Sequence, residues 1–270
     1  ALGGSLSETR YPKAGQTNPQ VRIGMVNLDD KETVWADFDP TLDQYFGIPF
    51  WGPDSQEFFI ARMPRLQNTV DLYAVSVSDG SKRHVYNETY KTWLDWFEGV
   101  VFTDAGLYMA REFETGWQQI YFLSYDGKTF RRLTDGPNWG ISIVRVDEKN
   151  GIAYYTAKRD ATVRQALYKV DSKGVITTLT DPAYNVAGVV FSPDGKYFVF
   201  AQYGVTDKDF EPYAEIYTVD VAKNDFVKNA VFKSNCSSSK LCMATIQSKA
   251  RIELYFTTGD NTSVKSTPRI

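Results

Sequence analysis

One short pattern recurs four times at nearly even spacing, and it limits the possible folds more than any other feature of the chain. It reads Asp71-Leu72-Tyr73-Ala74-Val75, Gln119-Ile120-Tyr121-Phe122-Leu123, Ala166-Leu167-Tyr168-Lys169-Val170 and Glu215-Ile216-Tyr217-Thr218-Val219, with the tyrosines 48, 47 and 49 residues apart. A fixed period of this length is the signature of a repeat architecture. Upstream of each tyrosine stands a turn: Trp51-Gly52-Pro53-Asp54, Phe102-Thr103-Asp104-Ala105-Gly106, Val146-Asp147-Glu148-Lys149-Asn150-Gly151 and Phe191-Ser192-Pro193-Asp194-Gly195. Ser-Pro-Asp-Gly signals a hairpin, because Pro presets φ at the second turn position and Gly accepts a positive φ at the end.

Each repeat therefore reads as four short strands, the third of them as 141–147, 152–158, 166–171 and 175–180. Strands such as Tyr197-Phe198-Val199-Phe200-Ala201 are apolar almost throughout, which predicts burial on both faces by neighbouring sheets. Four-stranded units of this length, stacked face to face, describe an all-β fold: a β-propeller of four-stranded antiparallel blades. A two-sheet sandwich fits less well, since its strands do not keep a repeated four-strand register. No segment carries a capped apolar period of 3.6 residues, so no long helix is expected. At the ends, 21–28 and 33–39 read as the third and fourth strands of one partial blade, and 243–248 and 252–258 as the first and second strands of another. The count is about four whole blades plus two partial ones. They form either an arc cut from a larger ring or a closed five-bladed ring whose terminal strands complete one blade together.

Aromatic residues make up 15% of the chain, which suits pleated, half-buried surfaces. Thirty basic residues against thirty-three acidic ones leave a net charge of −3, and the basic pairs Lys82-Arg83 and Arg131-Arg132 are isolated, so no nucleic-acid partner is expected. No apolar run approaches the ~18 residues of a membrane span, and no basic-then-apolar leader opens the chain. The start at Ala1-Leu2-Gly3-Gly4-Ser5, without Met, suits a processed protein or an excised fragment. Cys236 and Cys242 could close a small loop in an oxidising compartment or stay reduced. With His84 the sole histidine, a zinc site lacks ligands, and no metal or other cofactor is expected.

Particular residues then point to a family. Tyr11-Pro12-Lys13-Ala14-Gly15 followed by Asn18-Pro19 closely resembles a stretch in the propeller of the dipeptidyl peptidase IV family. In the same order, Arg65-Leu66-Gln67-Asn68, Gly116-Trp117 before Ile120-Tyr121, and Leu133-Thr134-Asp135-Gly136-Pro137-Asn138-Trp139 resemble further family segments. The resemblance spans nearly the whole chain. It implies that residues 1–270 are a fragment of one β-propeller domain, an arc of the later blades of an eight-bladed ring. The family's α/β-hydrolase domain, which removes Xaa-Pro-type dipeptides from peptide N-termini, lies outside this chain. The implied partners are that hydrolase domain, a peptide substrate and a second copy in a homodimer. The implied location is periplasmic or extracellular.

Peptidase chemistry of this kind needs a serine on a Gly-x-Ser-x-Gly elbow with a histidine base and an acidic orienter. Gly3-Gly4-Ser5-Leu6-Ser7 and Gly140-Ile141-Ser142-Ile143 both lack the closing glycine, and His84 reads as an exposed residue on an outer strand. No catalytic residue is assigned, and the chain alone is expected to be inactive. The family's paired glutamates for the substrate amine would fall upstream of Ala1, and Glu8 does not match them. In Thr92-Trp93-Leu94-Asp95-Trp96-Phe97-Glu98 the resemblance implies that Phe97 lines the peptide cleft, although Trp96 and Glu98 replace the family's two arginines. Ordinary packing is the competing role for Phe97. Asp54, Asp104, Asp147 and Asp194 recur at turns and read as turn carboxylates rather than calcium ligands, and Asp207-Lys208-Asp209-Phe210-Glu211 as solvated surface. Asn87-Glu88-Thr89, Asn235-Cys236-Ser237 and Asn261-Thr262-Ser263 match the glycosylation acceptor. The rival function is a non-catalytic propeller that binds a protein or peptide.

Overall fold

The computed structural model describes residue 4, residues 7–205 and 212–233, and three two-residue strands beyond them. The described residues contain strands and turns and no helix. A two-stranded sheet pairs β1 (Gly24–Val26) with β2 (Thr33–Trp35). The first large sheet holds β3 (Gln44–Phe46), β4 (Phe50–Trp51), β5 (Glu57–Pro64), β6 (Thr69–Ser76) and β7 (Lys82–Thr89). Here β3 and β4 share the edge of β5, because Gly47-Ile48-Pro49 interrupts them and Pro has no amide to give the ladder. The second sheet orders β8 (Val101–Phe102), β9 (Gly106–Arg111), β10 (Gln119–Ser124) and β11 (Phe130–Arg132). The third orders β12 (Trp139–Asp147), β13 (Ile152–Lys158), β14 (Ala166–Val170) and β15 (Ile176–Thr178). The fourth orders β16 (Asn185–Phe191), β17 (Tyr197–Val205), β18 (Pro212–Asp220), β19 (Asp225–Lys233) and β20 (Thr245–Ile246), and β21 (Phe256–Thr257) pairs with β22 (Ser263–Val264).

Every registered pairing is antiparallel and, apart from β3 on β5, joins strands consecutive along the chain, as four-stranded blades require. The repeat tyrosines Tyr73, Tyr121, Tyr168 and Tyr217 all fall on the third strand of a large sheet. The partial blade expected at the N-terminus is present as the β1–β2 pair, shortened at both strands. At the other end, Thr245–Ile246 joins the free edge of β19 instead of opening a new sheet. Most residues of that expected blade, and Cys236 and Cys242, lie outside the described residues. Among the described residues no sheet draws strands from both ends of the chain, which is the pairing a closed five-bladed ring would need.

The chain gathers into two compact units, Ala1–Met109 with Phe122–Arg131, and Ala110–Tyr121 with Arg132–Ile270. In the first, Ile23, just before β1, and Met25, within it, pack on buried Phe58, Ile60 and Val75 of the first large sheet. In the second, Val144 and Leu167 of the third sheet meet Phe198, Phe200 and Val219 of the fourth. Burying each such side chain contributes roughly 1.5–3 kcal/mol. The expected two-sided burial of 197–201 is found on one face only: Phe198 and Phe200 are 2% exposed, whereas Val199 is 37% and Tyr197 46% exposed. The third sheet covers one face of the fourth, and no described sheet covers the other.

A backbone feature accompanies the first strands. Gly140 and Gly188 sit at bulges in β12 and β16 with φ of 59° and 60°, in open space where a side chain would meet nothing. The requirement there is conformational, since left-handed backbone costs other residues about 1–2 kcal/mol.

Where the fourth strand of a sheet ends, a threonine side chain takes over from the ladder. Leu133 N–H donates to Ile120 O at 2.8 Å, and the next ladder donor, Ile120 N–H, is accepted by the Thr134 hydroxyl at 2.9 Å. The third sheet repeats this, with Leu179 N–H to Leu167 O at 2.8 Å and Leu167 N–H to Thr180 Oγ1 at 2.9 Å. Both threonines are buried, at 2% and 5% exposure. The chain can then leave the sheet without orphaning a buried donor. Replacing Thr180 by Val, of nearly equal shape, should destabilise the protein by about 1–3 kcal/mol, read from the urea midpoint, while Thr180→Ser keeps most of the stability.

Three of the four third-strand tyrosines are held by carboxylates. Tyr121 donates to Glu114 at 2.8 Å, Tyr168 to Asp160 at 2.9 Å and Tyr217 to Glu215 at 2.6 Å. Tyr155 stacks on Tyr168 at 5.5 Å, is fully buried, and among the described residues its hydroxyl has no partner. Burial pushes its pKa up to about 12, and burial followed by the acceptor carboxylate raises those of Tyr121 and Tyr168. These rings fold best neutral, so their stabilisation is complete below the ordinary tyrosine pKa of about 10 and is lost as pH rises through about 12. Absorbance at alkaline pH should show exposed tyrosines ionising first and the buried ones only with unfolding. Tyr155→Phe should be neutral or stabilising by up to about 1 kcal/mol, since it removes an unsatisfied hydroxyl; a fall in Tm would contradict that account.

Candidate functional site

In the first unit, the family-like residues near the N-terminus tie that segment to the first large sheet. Asn18 donates to Asp43 at 2.7 Å and to the Tyr45 hydroxyl at 2.8 Å, and Arg65 donates to Asp43 at 3.0 Å and to Gln16 O at 2.9 Å. The hydrogen bonds from Arg65 and Asn18 hold the Asp43 carboxyl below the usual carboxylate range. Arg65-Leu66-Gln67-Asn68 forms the turn from β5 to β6, and its carbonyls fix the loop beyond β7: Asn68 O accepts Tyr90 N–H and Gln67 O accepts Leu94 N–H, each at 2.9 Å.

That loop carries Phe97. Leu94 is buried and anchors it, whereas Phe97 is half-buried with its ring edge-on to Tyr86 at 6.0 Å. Tyr86 lies 4.9 Å from Phe130 and donates to the buried Glu88 at 2.9 Å. Phe97 thus packs on an aromatic cluster while part of it faces solvent. Trp96 is half-buried and Glu98 exposed, so an indole and an anion flank Phe97.

His84 lies on β7 with its ring 3.2 Å from Asp71, which also accepts from Asn87 at 2.8 Å and pairs with Arg62 at 3.6 Å. The ring serves this surface cluster, not a serine. Ser142 lies inside β12, a strand and not an elbow. Asp54, Asp147 and Asp194 each accept a backbone amide of their own turn, from Gln56, Asn150 and Lys196. Asp207 and its acidic neighbours, Asn235 and Asn261 lie outside the described residues.

In the second unit, the segment 133–139 organises a buried polar network that sequence reading registered only as a family match. Gln119, fully buried, accepts from Thr134 and from Asn138 at 2.8 Å each, and donates to Gly136 O at 2.8 Å. Arg159 donates to Asp135 O at 2.6 Å and to Asn138 Oδ1 at 3.0 Å. Gly136, at φ 85°, lets the guanidinium approach, since a Cβ there would lie 3.1 Å from it. Trp117 is held by Thr115, whose hydroxyl donates to Trp117 O at 2.9 Å and accepts Trp117 N–H at 3.2 Å. Above this network opens a cleft of about 310 Å³ lined by Trp117, Pro137, Trp139, Lys158, Arg159 and Thr162. These residues are scattered through the sequence, and only Gly116-Trp117 and the 133–139 segment gave any sign of it.

Residues 4–207 match the dipeptidyl peptidase IV N-terminal region family. Residues 199–255 match a family of predicted secreted proteins, which supports the secreted or extracellular location expected of the chain. Among known relatives, dipeptidyl peptidase 4 of Arthroderma otae is 28% identical over 229 residues, covering 78% of this chain and 28% of the relative. Dipeptidyl peptidase 4 of Trichophyton rubrum is 23% identical over 271 residues, covering 96% of this chain and 34% of the relative. Among solved structures, that of Porphyromonas gingivalis dipeptidyl peptidase 4 superposes with a TM-score of 0.68 at 24% identity, over 81% of this chain and 30% of that one, and bears out the propeller-type fold. The chain spans about three tenths of the length of the curated relatives it matches. With the matched region covering most of its length, the chain belongs to the dipeptidyl peptidase IV N-terminal region family.

Proposed function

We propose that residues 1–270 are part of the substrate-gating propeller of a serine dipeptidyl peptidase IV-like enzyme that releases N-terminal Xaa-Pro-type dipeptides. The observation that carries this reading is the family match from residue 4 to 207, which runs through the ordered segments at 11–19, 65–68, 116–121 and 133–139. The relatives are about three times longer than this chain, which leaves room in a parent protein for the hydrolase domain that would bear the serine, its base and its orienter. The propeller would wall off that site and admit only slender or unfolded peptides. Its exit staples and filled sheet interiors suit a rigid wall.

In this reading Phe97 touches the peptide from the loop that Gln67 and Asn68 hold in place. An exposed ring edge backed by Tyr86 gives a firm apolar contact at small entropic cost.

The full-length protein should hydrolyse glycyl-prolyl p-nitroanilide, and residues 1–270 alone should not. A folded full-length protein that leaves this substrate intact would sink the peptidase reading in favour of a non-catalytic binding propeller. Phe97→Ala in the full-length enzyme should raise KM about threefold to tenfold with kcat little changed, as loss of one apolar contact of about 1 kcal/mol would do. An unchanged KM alongside a lowered Tm would assign Phe97 to packing alone.

A further inference from the structure

Two cations stand at the cleft over the Gln119 network with no carboxylate to answer them. Lys158 lies directly across the ladder from Trp139 and is half-buried, and among the described residues its ammonium has no hydrogen-bond or ion-pair partner. Arg159 spends its hydrogen bonds on a backbone carbonyl and an amide oxygen, both neutral. The cleft at Lys228 is different: there Lys228 is already paired with Glu215 at 2.6 Å, and Asp181 also lines it. Lys158 is a half-buried residue paired across the ladder with an indole and has no counter-charge among the described residues, so an arriving anion finds an attraction less screened than in bulk water.

The rest of the cleft restricts which anion fits. Trp117 and Trp139 are 46% and 53% exposed, and with Pro137 they present flat apolar walls. A small hydrated ion would leave those walls wet. A sugar would find few polar partners, since Thr162 supplies the one hydroxyl of the lining. A carboxylate carried next to a flat ring satisfies both halves, because ring stacking on Trp and Pro buries area while the ammonium takes the charge. The volume, about 310 Å³, is at the small end of ordinary ligand clefts and suits a side chain or two of an extended peptide. The backbone under the walls is held before any ligand arrives: Thr115 pins the Trp117 backbone, and the bonds from Arg159 to Asp135 and Asn138 pin the segment between β11 and β12. Such preorganisation lowers the ordering cost of binding.

We propose that this cleft binds an acidic peptide segment in which a Glu or Asp adjoins a proline or aromatic residue, with Lys158 taking the carboxylate and the two indoles the ring. The site needs neither a hydrolase domain nor a free peptide amine, so it stands or falls apart from the peptidase reading.

The test uses the full-length protein and two blocked peptides, N-acetyl-Pro-Phe-Glu-amide and N-acetyl-Pro-Phe-Gln-amide, whose acetyl group removes the amine a dipeptidyl peptidase would recognise. In calorimetric titration the Glu peptide should bind roughly tenfold more tightly than the Gln peptide, the scale of one charge-assisted contact. Lys158→Met, which keeps the apolar stem, should erase that preference and leave Gln-peptide binding unchanged, and Lys158→Arg should retain most of it. Trp139→Ala should weaken both peptides alike. Melting temperatures within error of wild type certify the variants as folded. Equal binding of the two peptides, a preference that survives Lys158→Met, or no binding of either peptide to the folded protein would each overturn the proposal.

Discussion

The structure turns on a hydroxyl that stands in for a backbone carbonyl. A β-sheet of four strands must release its last strand so the chain can begin the next sheet, and that release threatens to strand an amide in the interior. Thr134 and Thr180 solve this at the same place in successive sheets, each accepting the amide that the departing strand no longer serves. The Thr134 hydroxyl in turn donates to Gln119 Oε1, so it is used in both directions. The crossing segments are fixed the same way, since Gln119 reaches Gly136 O and Gln165 reaches Val186 O. Without these contacts the sheets would still form, but nothing polar would set where one ends and the next begins.

From this constraint follows the placement of everything functional. The residues after each staple, at 135–139 and 181–185, lead into the first strand of the following sheet. The cleft at Trp117, Trp139 and Lys158 lies at one such step, and Arg159 in its lining donates to Asn138, which is bonded in turn to Gln119. The Phe97 loop occupies the equivalent step after β7, where Gln67 and Asn68 carbonyls do the anchoring in place of a threonine. The residues proposed for recognition therefore rest on hydrogen-bonded backbone.

Much of the fold was legible because strand sequences repeat at the length of one sheet. Tyr73, Tyr121, Tyr168 and Tyr217 mark third strands, and in three of the four sheets the hydroxyl also finds a carboxylate acceptor. The staples were equally periodic, as Leu133-Thr134-Asp135 and Leu179-Thr180-Asp181 stand 46 residues apart, but they lie past the strand ends where alternation gives no signal. One-sided exposure of 197–201 was not legible, because an apolar run reports what a strand could bury and not which neighbour is present. The attachment of Thr245–Ile246 to β19 was missed for a related reason: sheet edges are satisfied by whichever strand lies nearest. Phe97 could be singled out only by family likeness, and Lys158 by nothing at all, since its meaning depends on a missing partner and on two indoles distant in sequence.

The threonine exit has an evolutionary corollary. Each one is written in a short stretch, with the threonine 14 residues after the amide it serves in one case and 13 in the other. The instructions for ending a sheet thus travel with that sheet. A duplication or deletion that begins and ends at the same phase of the repeat adds or removes a complete unit together with its own exit, and no other junction has to be rewritten. A change in the number of blades by recombination then leaves the remaining exits as they were, whereas a single substitution at an exit threonine strands an amide that nothing else serves.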